Sequence, residues 1–540
     1  MNRATIEAEI DTLSARLEAL LGPGVVLRDA DTLQLVSGDV YSTGAYQAVL
    51  CARPTSVDSV AEAVRTITTA GFNITTRGGG MTYTGGYPPA EPATVVVDMS
   101  ALNRIVEVCE DDLYITVEAG VTWQQIHETL TPMGLRLPFF GTFSGAVATV
   151  GGGLSNGAVF MGTARYGGAA EIVLGMEVVT AAGQTIITGQ AAFRNGRPFY
   201  RTYGPDITGL FVHDGGALGI KTRATLRLMR APAHLDFASF MFANQLDAVA
   251  ALSEIGRTEA AEEVYLFDPH TSRRNLSEGD IRTAVKSLGR VVRGSGKGLG
   301  GLARGLREGA RIVAAGRNFI DADAWSLHLV CAGRSDAAVA HDMAMVKNIA
   351  EQAGGVAIAD SIPRAVRSAP FGPLNAILGP KGERWVALNA KVAHTDAPRL
   401  IGEVNALIAG YEERMQASNV SVSFLSMVMD TLAFSLEPVL HWPDEWLPIH
   451  RATPEPSHLK ILQEPEPNQE GRALVAEIRQ AMVDCFAEFG AASNQIGKTY
   501  PYLASLNPQT KQLLTALKQE LDPAGKMNPG VLGKFNLANS

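Results

Sequence analysis

Thr76-Arg77-Gly78-Gly79-Gly80-Met81-Thr82 is the stretch that decides how this 540-residue chain is read. Three successive glycines have no Cβ, so a ligand or a second backbone approaches closely and their N–H groups turn toward an anion. Arg77 places a permanent positive charge beside them. The β-rich run Asn73-Ile74-Thr75-Thr76 leads into the loop and fixes its amides. A second glycine run, Gly151-Gly152-Gly153, lies within the segment Thr149–Gly157. Two such segments in one amino-terminal region point to a large ligand that carries a pyrophosphate. No Gly-Lys-Ser/Thr follows either run, which excludes a Walker loop. No GxGxxG opens a helix with an acid about 20 residues on, which disfavours nicotinamide as the primary cofactor.

Composition sets the frame for that loop. A chain of 540 residues calls for two or three domains, and 46% apolar with 19% charged residues fits a packed globular enzyme. The net charge of −9 argues against nucleic acid as the main partner. Cys51, Cys109, Cys331 and Cys485 show no CxxC spacing and read as reduced thiols of a cytoplasmic protein. Ile6, Ile10, Leu13, Leu17 and Leu20 recur at helical spacing, so the amino terminus reads as an amphipathic helix rather than a signal peptide. No long uninterrupted apolar run suggests a membrane-spanning helix.

From about residue 47 to 230, short β-rich runs alternate with short helices and glycine turns. Strands are expected over 48–51, 73–76, 95–98 and 115–118, and a hairpin over 173–188. A helix is expected from Val57 to Ala70, capped by Ser56 or Asp58 and stopped by Gly71. After Pro232 two strand–helix–strand units are expected, one from Phe237 to Phe267 and one from Trp325 to Ile358, with a weaker third starting at Trp385. Such units favour an antiparallel sheet covered by helices. The final segment reads as helical from about Gly471 to Leu521. Between the first two units, Arg282 to Arg317 carries nine basic residues against the single acid Glu308, with apolar residues and glycines interleaved. Its composition fits either a solvated insertion or peripheral contact with an anionic membrane.

The ordered motifs resemble one family. They are Thr76–Thr82, Val97–Ser100 with Leu102–Ile105, Val117–Val121, Gly151–Gly157, Arg165-Tyr166-Gly167, Gly204–Phe211 with Gly216–Ile220, Leu521-Asp522-Pro523 and Asn528-Pro529-Gly530. Together they are similar to the vanillyl-alcohol oxidase and p-cresol methylhydroxylase (PCMH) superfamily of flavoproteins, which includes D-lactate dehydrogenase and glycolate oxidase types. The resemblance implies an α+β fold. A two-subdomain FAD-binding domain of PCMH type, residues 1–232 completed by 466–540, would receive an inserted substrate-binding cap, residues 233–465. It implies that Arg77, Gly78, Gly79, Gly80, Met81 and Thr82 cradle the pyrophosphate. Thr142, Thr149, Gly152, Gly153, Asn156 and Gly157 would line the rest of the FAD, with Arg165 and Ile220 nearby and Asn528 toward the flavin end. Some relatives attach FAD through a histidine just after the first glycine loop, where this chain has Met81. No cysteine accompanies the second glycine run, which disfavours a double attachment; His394, His441 and His450 leave a cap-domain linkage open, and FAD is expected to be non-covalent.

The chemistry such a fold implies is hydride loss from a carbon bearing oxygen, which needs a base and a substrate anchor. Candidate catalytic residues are His441 and His450, in the run Glu437–Arg451 that holds two tryptophans as well, and Lys498, Tyr500 and Tyr502 near the carboxy terminus. Lys498 would pair with a carboxylate and a tyrosine would hold a phenolate or hydroxyl. The histidines do not reproduce the HxGDGNxH-like site of some relatives, so no catalytic metal is expected. The leading substrate class is a small 2-hydroxy acid of the D-lactate or glycolate type. The alternative is a para-substituted phenol or benzylic alcohol. Either would need an electron acceptor, such as O2, a quinone or a cytochrome. Peripheral membrane contact through 282–317 and a homo-oligomer are both compatible with the sequence.

Overall fold

The computed structural model describes residues 3–271 and 324–537. The basic stretch 282–317 lies outside them. A first sheet is formed by Val26–Leu27, Leu50–Ala52, Thr94–Asp98 and Asn73–Arg77, in that spatial order. Its last three strands are parallel, because the helix Val57–Thr69 carries the chain across between Leu50–Ala52 and Asn73–Arg77. That helix presents Val60, Val64 and Ile67 to Ile74, Val95 and Val97 of the sheet. Leu13 and Leu17 of the amino-terminal helix Arg3–Leu21 close the same core. The parallel arrangement puts the first glycine loop at the carboxyl end of Asn73–Arg77.

A second sheet is antiparallel, in the order Ile105–Cys109, Tyr114–Glu118, Ile220–Arg227, Val173–Val179 and Thr185–Ile187. The carboxy terminus returns to the first sheet. Ile74 donates to the Lys526 carbonyl at 2.8 Å and accepts from the Asn528 amide at 2.7 Å. Lys518 secures this return by donating to the carbonyls of Ala217 at 2.7 Å and Met527 at 3.0 Å and to Asp522 at 2.6 Å.

The cap is an antiparallel sheet of eight strands. Its main path runs Val356–Ile358, His234–Phe242, Trp325–Gly333, Glu263–Phe267, Ser421–Met429, Ala433–Trp442 and Arg384–Ala387, and Ala390–Ala393 also pairs with Ala433–Trp442. The helices Gln245–Arg257, Asp336–Gln352, Ala397–Ala417 and Gln469–Glu488 contribute to the apolar core on one face, against Leu266, Leu327, Leu436 and Leu440. Successive side chains of a strand point to opposite faces, so the strand neighbours of those leucines point to the other face of the sheet. Arg136 fastens cap to base by donating to the fully buried Glu262 at 2.6 Å, which Arg367 also holds at 2.8 Å.

Three expectations need adjusting. The segment expected to be helical from 471 to 521 is two helices, Gln469–Glu488 and Pro508–Leu521, with only a short turn of helix at Tyr502–Ser505 between them. Gly490 at φ 60° lies just beyond the first helix, and Asn507 caps the second before Pro508. The expected strand over 385–390 divides at Leu388-Asn389 into Arg384–Ala387 and Ala390–Ala393. Glu437 and His441 lie inside the strand Ala433–Trp442 rather than after one. Among the described residues, no helix is long and apolar enough to cross a membrane.

The buried Asp444 neutralises Arg384 at 3.0 Å and also accepts from Trp442 Nε1 and from Arg472. Asp444→Ala leaves Arg384 buried without its counter-charge, which costs about 3–5 kcal/mol. The expected outcome is a clear drop in the urea midpoint, whereas Glu477→Ala, which removes an exposed partner of Arg414, barely moves it.

Candidate active site

Between the two amino-terminal sheets lies an open cleft walled largely by glycines and small polar residues. Arg77 to Thr82 form one wall, and Thr142, Thr149, Gly152, Gly153 and Asn156 form another. Ile220 and Lys221 add to it from the antiparallel sheet, and Gln495 from the irregular run before Tyr502. The two glycine segments touch. A Cβ on Gly78 would strike the Thr149 hydroxyl, and one on Gly79 would strike the Val147 carbonyl. Gly80 adopts φ +78°, a left-handed conformation that a side chain would strain.

The second glycine run is not a loop. Thr149 caps the helix Val150–Asn156, accepting from the Gly152 amide at 3.3 Å. Glycine suits that helix because a Cβ on Gly151 would crowd Ala119 and one on Gly153 would crowd the Trp123 ring. These two glycines buy close packing of the helix, whereas the first loop leaves its donors open. Among the described residues, none accepts a hydrogen bond from the amides of Gly78, Gly79, Gly80, Met81 or Thr82.

Arg77 stands at the base of the wall, 3.5 Å from Asp98 and with its guanidinium 5.7 Å from the centre of the Tyr87 ring. Its Nε is buried without a partner, as are Asn156 Oδ1 and Gln495 Oε1. Open amides and an arginine as donors, with unpaired amide oxygens as acceptors, are the set a dinucleotide needs, with anion binding at one end and a heteroaromatic edge at the other. The residues present therefore fit FAD. Met81 lines the cleft and packs beside Trp446 and Val40.

Three residues expected around the cofactor stand outside the lining. Gly157, at φ +68°, ends the helix against the His213 ring. Arg165 donates to the carbonyls of Glu259 at 2.7 Å and Ala332 at 2.9 Å, and so grips the cap. Asn528 donates from Nδ2 to the carbonyls of Gly86 at 2.7 Å and Gly215 at 2.6 Å, tying the first loop to the turn before Ile220.

None of the five expected catalytic residues lines the cleft. His441 is hydrogen-bonded to Ser423 at 2.8 Å and its ring stacks on His270 at 5.3 Å. His450 is buried, accepts from the Leu447 amide at 3.1 Å, and burial pushes it down to about 3. Lys498 spends its charge on the carbonyls of Gly85 at 2.7 Å and Pro88 at 3.0 Å, and burial lowers it to about 8. Tyr500 accepts from the Asn389 amide at 2.7 Å, and Tyr502 is part-exposed on its short helix.

The cap supplies a group that the motifs did not reveal. In its antiparallel register, Lys391 lies opposite Ser435, and Glu437 opposite Leu425. All four side chains share the sheet face opposite the apolar core, where Lys391 lies near His213 and Glu437 near Tyr83, and none of the four is among the residues that line the cleft. Asn389 Nδ2 donates to Glu437 Oε2 at 2.7 Å, and burial raises the Glu437 carboxyl to about 7, with the Asn389 bond opposing. Lys391 is held below the usual lysine range by burial, with Glu171 opposing, and it depresses the neighbouring His213. No acceptor among the described residues lies within hydrogen-bonding reach of its Nζ. Lys221, Lys498, Lys518, Arg384 and Arg479, by contrast, all spend their charge on protein acceptors. The signal for this pair was the alternation in Ala433–Trp442, where Ser435 and Glu437 interrupt an apolar strand at a spacing of two.

Residues 48–189 match the FAD binding domain family. The chain is 32% identical over 179 residues to the mitochondrial D-lactate dehydrogenase [cytochrome] 1 of Saccharomyces cerevisiae, a match covering 33% of this chain and 29% of that one. It is 29% identical over 247 residues to the D-2-hydroxyglutarate dehydrogenase of Stutzerimonas stutzeri, covering 43% of this chain and 52% of that one. The matches thus span about a third to a half of these relatives' length. Its fold is that of p-cresol methylhydroxylase, with a TM-score of 0.71 at 18% identity over 98% of this chain and 97% of that one. The chain thus carries an FAD-binding domain, and both glycine segments that wall the cleft lie within it.

Gly79→Ala drives a methyl group into the Val147 carbonyl and separates the two walls. The expected outcome is a folded protein purified with less than about a tenth of the wild-type flavin per chain, since a shift worth 1.4 kcal/mol is tenfold in affinity. The ratio of visible to ultraviolet absorbance checks it.

Proposed function

We propose that the chain is an FAD-dependent oxidoreductase that converts the CH–OH group of a 2-hydroxy acid to a 2-oxo acid. The observation that carries this reading is the unpaired Lys391 ammonium two residues along the sheet face from the Glu437 carboxyl. Such a pair matches the two ends of a 2-hydroxy acid, a carboxylate and an adjacent hydroxyl. The names of the matched relatives, which act on D-lactate and D-2-hydroxyglutarate, support the same class.

Lys391 would take the substrate carboxylate in a charge-assisted hydrogen bond, which fixes C2 and its hydroxyl relative to the cleft. Glu437, ionised by its Asn389 contact, would accept the hydroxyl proton. A carboxyl near 7 suits this task, because it is a stronger base than an ordinary glutamate and about half of it is ionised at neutral pH. The chemistry that bound FAD supplies is acceptance of the C2 hydride, after which the electrons pass to O2, a quinone or a cytochrome. Tyr500 positions the base indirectly, since its hydroxyl holds the Asn389 backbone at both its amide and its carbonyl.

Oxidation of a para-substituted phenol finds less support. Tyr83 lies beside Glu437, as that chemistry would want. The Tyr500 hydroxyl, however, is committed to the Asn389 backbone, and Arg479 to the carbonyls of Ala387 and Tyr83. The same proposal places the protein in the cytoplasm, with the basic stretch 282–317 meeting an anionic membrane where a quinone or cytochrome is at hand. Liposome flotation checks this: deletion of 282–317 is expected to abolish co-flotation with anionic vesicles.

With a saturating 2-hydroxy acid, kcat is expected to fall about tenfold per pH unit below 7 and to level off above it, because protonated Glu437 cannot accept a proton. Glu437→Gln loses about 100-fold or more in kcat and abolishes that limb. Asn389→Ala removes the hydrogen bond that favours the ionised form, so the limb moves to higher pH. Lys391→Met raises KM by about 10- to 100-fold, the worth of one charged hydrogen bond. An unchanged pH profile in Glu437→Gln would remove this residue from the mechanism.

A further inference from the structure

The cap sheet continues past Glu437 and Lys391, and what it presents there bears on the substrate's third substituent. Opposite Ser435 on the next strand is Met427, and beyond it Tyr265. Opposite Glu437 is Leu425, and beyond it Phe267. The register puts Tyr265, Phe267, Leu425 and Met427 on the same face as the acid–base pair. They are part-buried, and none of the four joins the apolar core on the other side of the sheet. Four large apolar side chains therefore line the sheet face opposite the apolar core, next to one carboxyl and one unpaired cation.

Along the row from Lys391 through Ser435, Met427 and Tyr265 no further side chain carries a charge, and Glu263, on the same face two residues before Tyr265, is spent on Arg367. The next titratable group along the row is His328, opposite Tyr265. It is fully buried, hydrogen-bonded to Ser239 at 2.9 Å and Ser326 at 3.0 Å, and burial pushes it down to about 3. It carries no charge at neutral pH. A second carboxylate on the substrate would thus meet apolar carbon with no cation to receive it, which is a heavy desolvation cost. The opposite holds for a hydrocarbon substituent, since each methylene buried raises affinity about fourfold. Strands are spaced about 4.8 Å apart, so the surface from Lys391 across to Tyr265 spans roughly 14 Å. A methyl group would leave most of that wall uncovered. At the far end the Tyr265 hydroxyl is buried with no protein partner.

We propose that the preferred substrate is a 2-hydroxy acid with a single carboxylate and a bulky apolar substituent on C2, seated on Leu425, Met427, Phe267 and Tyr265. This rests on the 2-hydroxy acid reading and narrows it away from lactate, glycolate and 2-hydroxyglutarate.

The test uses the flavin-loaded full chain with both enantiomers of lactate, 2-hydroxyglutarate, 2-hydroxyisocaproate and 3-phenyllactate, and with 4-ethylphenol. Anaerobic reduction is expected to show kcat/KM for phenyllactate or hydroxyisocaproate at least tenfold above lactate and 2-hydroxyglutarate. Isothermal titration with the unreactive 3-phenylpropanoate and with propanoate is expected to show at least tenfold tighter binding of the aryl acid. Leu425→Ala and Met427→Ala are each expected to shrink that ratio at least threefold. Equal or better turnover of lactate or 2-hydroxyglutarate overturns the proposal while leaving the 2-hydroxy acid reading intact. Reduction by 4-ethylphenol alone overturns both. A binding ratio that both substitutions leave unchanged removes the apolar wall from substrate recognition.

Discussion

The close approach of the first glycine loop to the Val147–Thr149 segment is the constraint on which the rest of the structure depends. Only a residue without Cβ fits at Gly78 and Gly79, and only because of that fit do five consecutive amides remain free to face one ligand. The parallel strand Asn73–Arg77 aims the loop, the helix Val150–Asn156 packs tightly enough on Ala119 and Trp123 to meet it, and the returning Asn528 pins it from behind. Each support comes from a distant part of the sequence. The cofactor site is therefore a product of the whole base, not of one motif.

The cap solves a different problem by a simpler device. An antiparallel sheet with helices on one face has an apolar side and a side free for function. Alternation along Ala433–Trp442 puts Phe434, Leu436 and Leu440 in the core and Ser435 and Glu437 opposite. Burial raises the Glu437 carboxyl, with the Asn389 hydrogen bond opposing and no cation in contact. Lys391 keeps its charge unspent on the same face. Burial without a counter-charge in contact destabilises both groups, and a fold that retains them gains something else in return.

The base was legible in the sequence because its constraints are local. Glycines at fixed places, the Asp522 turn and Asn528 each answer a backbone requirement that a single sequence displays. The antiparallel character of the cap and its two long strand–helix–strand units were legible for the same reason, since period and capping residues mark them. The proposed substrate face was not. His441, His450 and Lys498 drew attention by residue type and proximity along the chain, yet each is committed to a protein partner. Lys391 and Glu437 lie far apart in sequence and meet only through strand register, which no local pattern encodes. The two glycine runs also looked alike in sequence and differ in structure, because Gly151 and Gly153 answer to packing while Gly78 to Gly80 leave donors free.

The central claim is that a CH–OH bond next to a carboxylate delivers its hydride into the cleft bordered by Arg77–Thr82. The most direct measurement is anaerobic stopped-flow mixing of the flavin-loaded protein with a 2-hydroxy acid carrying hydrogen or deuterium at C2. The account predicts full loss of the oxidised flavin band, several-fold slower with deuterium. Absence of bleaching by every 2-hydroxy acid, or bleaching with no isotope effect under single-turnover conditions, would contradict it.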